Sequence, residues 1–289
     1  MNQITKLSPD DVLPLTCSRA GSCCFGNQVL LNPWELAVMA DAKKMTAREF
    51  NQLYCEFGGI RLRFDGDLIS NHKKACRQYV EGKGCSIYEA RPLACRLFPI
   101  GRYIQNEEAN YMFKGKQFPC LAECPEVTNL PTLTVSEYLA GQKTALFEEA
   151  QDAYLEMVQN IAEIAFELLL DTELASSGDT KTLAMWRDAG KKSPDILRNE
   201  IPQDWVDLIL FPEVEVNKED PMAFITLHHD LFQQKAQERF GGLENINELR
   251  DASALMLRSA LFLASSIGAD PKGLAEVWIA EAKNHGAKV

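Results

Sequence analysis

Apolar side chains recur with helical spacing through most of the second half of the chain. Between Tyr138 and Leu168 they keep to one face over about nine turns, which predicts a single long amphipathic helix. Asp–Pro pairs at 220–221 and 270–271 are helix-start signals, because aspartate caps a helix and proline fits its first position. We therefore expect three further helices, at 221–240, 245–267 and 271–285.

The first half combines short helical patterns with extended ones. Capping boxes at Asn32–Glu35 and Thr46–Glu49 predict two consecutive helices, and a third box at Thr134–Glu137 predicts the start of the long helix. Alternation of apolar and polar residues predicts a hairpin around Asp65–Gly66 and a strand–turn–strand over 101–120. Glycine and proline interrupt the cysteine-rich stretch between these two patterns, so short helical turns and loops are expected there.

The predicted fold class is therefore mainly α with small β elements. We expect an N-terminal metal-stabilised cysteine-cluster domain over residues 1–132, followed by an acidic α-helical domain over 133–289. Pro125 and Pro131 mark the boundary between the two, since proline interrupts regular structure.

Charge differs sharply between these two parts. The chain has a net charge of −11, with 16 basic and 14 acidic residues in 1–132 against 14 and 27 in 133–289. An acidic half argues against nucleic acid as a partner, because neutralising phosphates needs a basic surface. The start lacks the layout of a signal peptide, and the most apolar stretch, 252–269, carries Arg258 in its middle. We expect a cytoplasmic protein without a membrane span.

All nine cysteines lie between Cys17 and Cys124. In a chain expected to be cytoplasmic, clustered thiols are more often metal ligands than disulfides. Cys55 lies on the predicted helix over 46–57 and is expected to be a core residue. Eight thiols suffice for two four-ligand sites, or for one site with a residual redox pair. These eight candidate metal ligands are Cys17, Cys23, Cys24, Cys76, Cys85, Cys95, Cys120 and Cys124.

Other groups near the cysteines have two interpretations each. Residues 73–102 carry seven basic and two acidic side chains, which either lower the electrostatic cost of a thiolate-bound metal or form a solvated basic face. We expect the adjacent side chains of Cys23 and Cys24 to diverge, so that they do not easily serve one tetrahedral ion together. His72 is either a nitrogen ligand or an exposed residue, and His228–His229 are expected to be structural or surface residues.

The segment "CSIYEARPLACRLFP" resembles the signature of the YkgJ-type cysteine-cluster family, whose members are described as zinc- or iron-chelating. The resemblance covers about Cys17 to Cys124, and Ala20 stands where many members have a further cysteine. This departure favours a site shared between the N-terminal thiols and the downstream ones. The residues that match the signature are Cys85, Ile87, Tyr88, Arg91, Pro92, Cys95, Arg96, Phe98 and Pro99.

The resemblance implies a metal centre and extends, in the cysteine region, to flagellin lysine-N-methylase, which is associated with a 4Fe–4S centre. An iron–sulfur cluster (4Fe–4S) is therefore expected in preference to zinc, and S-adenosylmethionine is implied by the family alone. If the protein is an enzyme, a lysine N-methylase-like modification of a protein substrate or a redox activity is expected. Catalytic residues are not predicted, and Tyr88, Arg91 and Arg96 are candidate cofactor-binding residues with structural roles as the alternative. The alternative function is a zinc-stabilised, non-catalytic module that recruits a protein partner through its helical half.

Overall fold

The computed structural model describes residues 4–13, 22–70, 72–105, 108–114, 132–170 and 180–287. The chain divides into two compact units, which we call unit 1 (Met1–Val29 and Leu62–Glu148) and unit 2 (Leu30–Arg61 and Glu149–Val289). These bounds differ from the predicted division at 132/133, because the segment 30–61 belongs to unit 2 and 133–148 to unit 1. Pro125 and Pro131 lie outside the described residues.

The fold is mainly helical, with small antiparallel sheets. The strands are β1 (Ile4–Leu7), β2 (Val12–Leu13), β3 (Cys55–Glu56), β4 (Arg61–Leu62), β5 (Ile69–Ser70), β6 (Lys73–Lys74), β7 (Tyr79–Val80), β8 (Gly84–Cys85), β9 (Ile100–Gln105), β10 (Glu108–Lys114) and β11 (Leu133–Thr134). The helices are α1 (Pro33–Ala42), α2 (Ala47–Tyr54), α3 (Leu93–Leu97), α4 (Val135–Gln142), α5 (Ala145–Leu170), α6 (Thr180–Ala189), α7 (Pro194–Glu200), α8 (Gln203–Leu210), α9 (Pro221–Phe240), α10 (Ile246–Ser266) and α11 (Pro271–Asn284).

Unit 1 is built on short strand pairings. A three-stranded sheet has the order β1–β10–β9, and the β9–β10 pair confirms the predicted strand–turn–strand. Two-residue ladders join β2 to β11, β5 to β6 and β7 to β8. The short helical turns predicted for the cysteine-rich stretch are confirmed by a one-turn 3-10 helix at Tyr88–Ala90 and by α3.

The hairpin predicted around Asp65–Gly66 is wrong. β5 pairs with the following β6, whereas β4 pairs with β3. The backbone N–H of Gly66 donates instead to the carbonyl of Ala75 over 3.0 Å, and that of Ala75 donates to Leu68 over 2.9 Å. Alternating polarity indicates extended backbone, but it does not specify the partner strand when both faces are partly exposed.

Helices α1, α2 and α4 begin where the capping boxes predict. In each, the N-cap side chain accepts from the backbone of the glutamate three residues on, and that glutamate accepts from the N-cap backbone. The single long helix predicted from Tyr138 to Leu168 is, however, two helices. Lys143 adopts a left-handed conformation with φ 53° between α4 and α5, which ends the first helix. The apolar stripe continues across the break because both helices bury one face.

Unit 2 has its core around α10, which is buried on nearly all sides from Ala252 to Ser266, as expected of a helix segment that is mostly apolar. It packs against α6, α7, α8 and α11, and the first three of these helices are not predicted by the sequence patterns. Arg258 lies in the middle of α10 and pairs with Glu200 at 3.2 Å. Among the described helices, none combines the length and apolar character needed to cross a bilayer.

Two buried side chains of unit 2 have the structural roles that the sequence predicts. Cys55 is buried at the end of α2. His228 donates from Nε2 to the carbonyl of Leu208 over 2.9 Å, and its Nδ1 accepts from the hydroxyl of Tyr154 over 3.2 Å. Burial lowers the pKa of His228 to about 3, so that the ring is neutral at physiological pH.

Candidate metal centre

The vicinal pair Cys23–Cys24 lies in a one-turn 3-10 helix, Ser22–Cys24, that is tied to the segment around Cys76. The backbone N–H of Cys76 donates to the carbonyl of Cys24 over 2.6 Å, and Phe25 forms an isolated β-bridge with Ala75. The ring of Phe25 also packs edge-on against Tyr79 with centroids 5.1 Å apart. These contacts bring two cysteines from one end of the chain beside a third that is more than fifty residues away.

The β7–β8 ladder places Cys76 close to Cys85. Tyr79 pairs with Cys85 across the ladder, and its backbone N–H donates to the carbonyl of Cys76 over 2.9 Å. The positive φ of 70° at Gly82 and 79° at Gly84 allows the tight reversal between the two strands. Because the strands are only two residues long, the turn itself holds these two thiols near each other.

Cys95 comes from the following helix, α3. The helix starts directly after Pro92, whose carbonyl accepts from the backbone N–H of Cys95 over 3.0 Å. The residue is partly exposed, while its sulfur is buried, and burial raises the pKa of this thiol well above its usual range. Negative charge on Cys23, Cys76 or Cys85 raises the pKa of Cys95 further, so all four sulfurs lie within electrostatic reach.

The described part of the site therefore contains five converging thiols: Cys23, Cys24, Cys76, Cys85 and Cys95. Burial raises the pKa of Cys76 to about 11, and the charges of Cys85 and Cys23 add to this. Ionising these thiols together is unfavourable unless positive charge is supplied among them. A metal cation supplies that charge and converts the thiols to thiolate ligands.

The two sulfurs of the vicinal pair lie 3.9 Å apart, so the expectation that these side chains diverge is wrong. The spacing is close to the edge of a tetrahedron of thiolates around zinc, about 3.8 Å for sulfurs at 2.3 Å from the ion. The hydrogen bond between the two thiols, in which either sulfur can be the donor, lowers the pKa of Cys23 to about 7, with a smaller contribution from the positive charge of Arg91. The same contact and burial raise the pKa of Cys24.

Arg91, one of the three predicted cofactor-binding residues, is buried beside the thiols. Its guanidinium carbon lies 3.6 Å from the centroid of the Tyr88 ring, and its Nε donates to the carbonyl of Tyr88 over 2.9 Å. Its Nη2 donates to Oε1 of Gln142 over 3.0 Å. The charge of Arg91 lowers the pKa of both Cys23 and Cys95, which favours thiolates at those positions.

Arg96 connects three backbone carbonyls. It donates from Nε to Arg91, from Nη1 to Gln142 and from Nη2 to Glu89, over 2.7, 2.7 and 2.5 Å. Its guanidinium lies over the ring of Phe147, 4.0 Å from the centroid. Arg96 thus has a structural role that fixes α3 and the turn before it, while cofactor binding by Tyr88, Arg91 and Arg96 stays a prediction.

The basic side chains of residues 73–102 include both exposed and buried ones. Lys73, Lys74, Arg77 and Lys83 are exposed, and Arg77 pairs with Asp65 at 2.6 Å. These four form the solvated face that was the alternative interpretation. Arg91, in contrast, is buried, and its charge lowers the pKa of Cys23 and Cys95.

Several candidate ligands lie elsewhere or outside the described residues. Cys17, Cys120 and Cys124 belong to undescribed segments, as does Ala20. His72 is exposed. Within the ranges that the structure describes, no three histidine, cysteine, aspartate or glutamate side chains already form a group able to hold a metal ion. The five thiols thus converge without forming a closed ligand set.

A polar cavity borders the site at Cys76. It has a volume of about 370 Å³ and is lined by Asp65, Gly66, Asp67, Leu68, Ala75, Cys76, Arg77 and Tyr79. Cys76 thereby borders a space large enough for a small molecule.

Sequence reasoning missed two residues that shape the site. Tyr138 donates from its hydroxyl to the carbonyls of Phe98 and Arg96, over 2.6 and 3.2 Å, and so joins α4 to the end of α3. Gln78 is buried two residues after Cys76, and its side-chain nitrogen lacks a hydrogen-bond partner among the described residues. A buried donor without an acceptor beside thiols fits a site whose sulfurs become negative when metal binds. The short spacing from Cys76 was the one signal in the sequence.

Comparison with known proteins agrees with this donor set. Residues 16–116 match the family model CxxCxxCC, described as "Putative zinc- or iron-chelating domain", which confirms the resemblance to a cysteine-cluster family. The matched range includes α1 and α2 of unit 2 as well as the five thiols of unit 1. No curated protein and no solved structure matches the chain. Over residues 16–116 the chain is therefore similar to a family of cysteine-cluster domains described as zinc- or iron-chelating.

Proposed function

We propose that unit 1 binds a metal centre through Cys76, Cys85, Cys95 and at least one of Cys23 and Cys24. The observation that carries the proposal is the convergence of five thiols from three chain segments, each close enough to alter the ionisation of others. Isolated buried cysteines have no such effect on one another, and the positive charge of Arg91 favours their thiolates. Cys17, Cys120 and Cys124 are further candidate ligands.

We propose an iron–sulfur centre (4Fe–4S) as the form of this site. Four of the five thiols suffice for a four-iron cluster, which takes one cysteine per iron and leaves the fifth as a neighbour. The preference for a cluster over zinc rests on the resemblance to flagellin lysine-N-methylase in the cysteine region. When bound, such a cluster supplies electron transfer. The chain would supply the thiolates and the Arg91 cation.

The 3.9 Å spacing between the sulfurs of Cys23 and Cys24 favours a second form, in which both bind one zinc ion. A zinc centre of this kind stabilises the fold without chemistry of its own. The two forms therefore use the vicinal pair differently.

Metal analysis of anaerobically purified protein tests the proposal. An iron–sulfur centre predicts about four irons per chain and absorbance at roughly 400 nm. Of the two single variants Cys23→Ala and Cys24→Ala, one should keep full iron content, because only one of these two thiols is a ligand of the cluster. A shared zinc ion predicts colourless protein in which both substitutions lower the zinc content. Wild-type protein with neither metal above a tenth of an equivalent would contradict metal binding itself.

An enzymatic role rests on the family resemblance alone. Lysine N-methylase-like or redox activity, with S-adenosylmethionine as the methyl donor in the first case, remains a prediction. We assign a catalytic role to no described side chain, so metal binding is the function that this site supports best.

One feature of unit 2 favours the alternative function, recruitment of a protein partner. A groove of about 420 Å³ lies between α5, α9 and the start of α10. Its lining combines apolar side chains with the amides of Asn160, Gln233 and Gln237, and the exposed carboxylates of Glu163 and Glu167 stand one turn apart along it. The described lining contains no basic residue. The apolar lining residues are Ile164, Leu168, Ala236, Phe240, Leu243 and Leu249.

This combination fits a basic amphipathic helix of a partner protein, whose apolar face fills the groove while its lysines meet the two carboxylates. A labelled helical peptide of leucine and lysine should bind the full chain, and the double substitution Glu163→Lys, Glu167→Lys should weaken binding about tenfold. Glu213→Lys with Glu215→Lys, which reverses two exposed charges outside the groove, is the matched control. Equal weakening by both double variants would show that only net charge matters, and self-association abolished by the groove variant would identify a second copy as the occupant.

A further inference from the structure

Gln78 is held in a fixed orientation between two of the proposed metal ligands. The residue is 2% exposed and lies in the turn between Cys76 and β7. Ser86, the neighbour of Cys85, donates from Oγ to Oε1 of Gln78 over 3.1 Å and from its backbone N–H to the Gln78 carbonyl over 2.7 Å. The oxygen end of the carboxamide is therefore anchored, and this fixes the direction of its nitrogen.

The nitrogen end of the same carboxamide has no acceptor. Nε2 of Gln78 is buried and has no hydrogen-bond partner among the described residues. A buried amide donor that loses its water without gaining a partner is unfavourable, and such groups usually mark a functional constraint. Leucine in this place would avoid the penalty, so the amide needs an explanation.

A thiolate sulfur is the acceptor that metal binding creates in the segment that holds this amide. The backbone N–H of Gln78 already approaches Sγ of Cys76 at 3.5 Å, and Cys85 precedes the serine that anchors the side chain. A neutral thiol is a weak acceptor, whereas a metal-bound thiolate carries negative charge and accepts a stronger, charge-assisted hydrogen bond. The orphaned donor thus matches the charged state of the site and not its protonated state.

We propose that Gln78 is a positioning residue of the metal centre, which donates its Nε2–H to a metal-bound thiolate of the Cys76–Cys85 pair. This inference rests on the proposed function, since the acceptor exists only when metal is bound. The hydrogen bond stabilises the thiolate, fixes its direction and lowers its electron donation to the metal. The amide is costly in the metal-free protein and becomes satisfied in the loaded one.

Replacing Gln78 should have opposite effects on the metal-free and the metal-loaded protein, and this tests its role as a positioning residue. In Gln78→Leu, we expect the thermal midpoint of the metal-free chain to be unchanged or raised, because the orphaned donor is gone. The same variant should bind Co²⁺, used as a spectroscopic probe, with 10- to 100-fold lower affinity in chelator competition. This is the loss typical of mutating a residue that hydrogen-bonds to a metal ligand. The sulfur-to-cobalt charge-transfer band should shift at unchanged stoichiometry.

Two further variants separate positioning from packing. Gln78→Glu keeps an oxygen for Ser86 but has no N–H to donate when ionised, so it should also lose at least tenfold in affinity. Gln105→Leu changes an exposed glutamine of unit 1 and should match wild type in all three measurements. A Gln78→Leu chain with wild-type affinity and band position, or one destabilised equally with and without metal, would overturn the inference alone. A wild-type chain that binds neither cobalt, zinc nor iron would overturn the proposed function and this inference together.

Discussion

Replacing Cys76, Cys85 or Cys95 by alanine should remove most of the bound metal. Thiolate zinc sites bind with about 10–16 kcal/mol of free energy, so loss of one of four ligands costs about 3–4 kcal/mol, or two to three orders of magnitude in affinity. We expect the metal content of each variant to fall below about a tenth of the wild-type value after dialysis against a mild chelator. Metal analysis per chain is the measurement, and it applies equally to iron and zinc.

Cys55→Ala is the matched control, because it also removes a buried thiol from the chain. Cys55 lies in unit 2, whereas the five converging thiols belong to unit 1, so its replacement should leave the metal content unchanged. Full metal content in all three of the other variants would rule out Cys76, Cys85 and Cys95 as ligands. Equal loss in Cys55→Ala would point to general instability of the chain.

Arg96→Met should destabilise the folded protein by about 4.5 kcal/mol or more. The substitution keeps an apolar side chain over Phe147 but removes the donors to the carbonyls of Glu89, Arg91 and Gln142. Hydrogen bonds from a charged donor are worth about 1.5–3 kcal/mol each, and buried carbonyls left without a partner add to the loss. Urea unfolding of the full chain without metal measures the change in the free energy of unfolding.

Arg77→Met provides the comparison for Arg96→Met. Arg77 is also an arginine of unit 1, but it is exposed and pairs with Asp65 at the surface, which predicts a loss below about 1 kcal/mol. If Arg96→Met costs no more than Arg77→Met, the three carbonyl contacts do not stabilise the fold. A fall in metal content of Arg96→Met alone would further tie the position of α3 to that of Cys95.

The elements that the sequence predicts well are those defined by local chemistry. Three capping boxes place the starts of α1, α2 and α4, because the side chain and backbone groups involved lie within four residues of each other. The Asp–Pro signals place α9 and α11 in the same way. Helices α7 and α8 carry a proline at or just before their first residue, but they span only 7 and 8 residues, too few for a periodic pattern to stand out.

Several features were not predictable because the local sequence gives them no clear signal. The alternating stretch extends on both sides of Asp65–Gly66, and it does not show that the chain reverses between β5 and β6 or that Gly66 donates to Ala75. The left-handed Lys143 is a single residue within an unbroken apolar stripe. At the site, the cysteine pattern predicts the thiols. The roles of the buried carboxamide of Gln78 and of the Tyr138 hydroxyl depend on the residues around them in the folded chain, which the sequence pattern does not show.

The excursion of the chain into unit 2 bears on how quickly the thiols of unit 1 can meet. The segment 30–61 leaves and returns at one place, where Leu62 donates to Val29 and Leu31 donates to Ile60, both over 2.9 Å. Of the 51 residues between Cys24 and Cys76, 32 belong to this segment. Once the segment 30–61 is folded, the flexible loop that must close to join Cys24 and Cys76 contains only the residues outside that segment. The entropic cost of closing this loop falls by about 0.9 kcal/mol. Folding of the segment that contains α1 and α2 thus lowers the entropic cost of bringing Cys24 and Cys76 together, as if fewer residues separated them in the sequence.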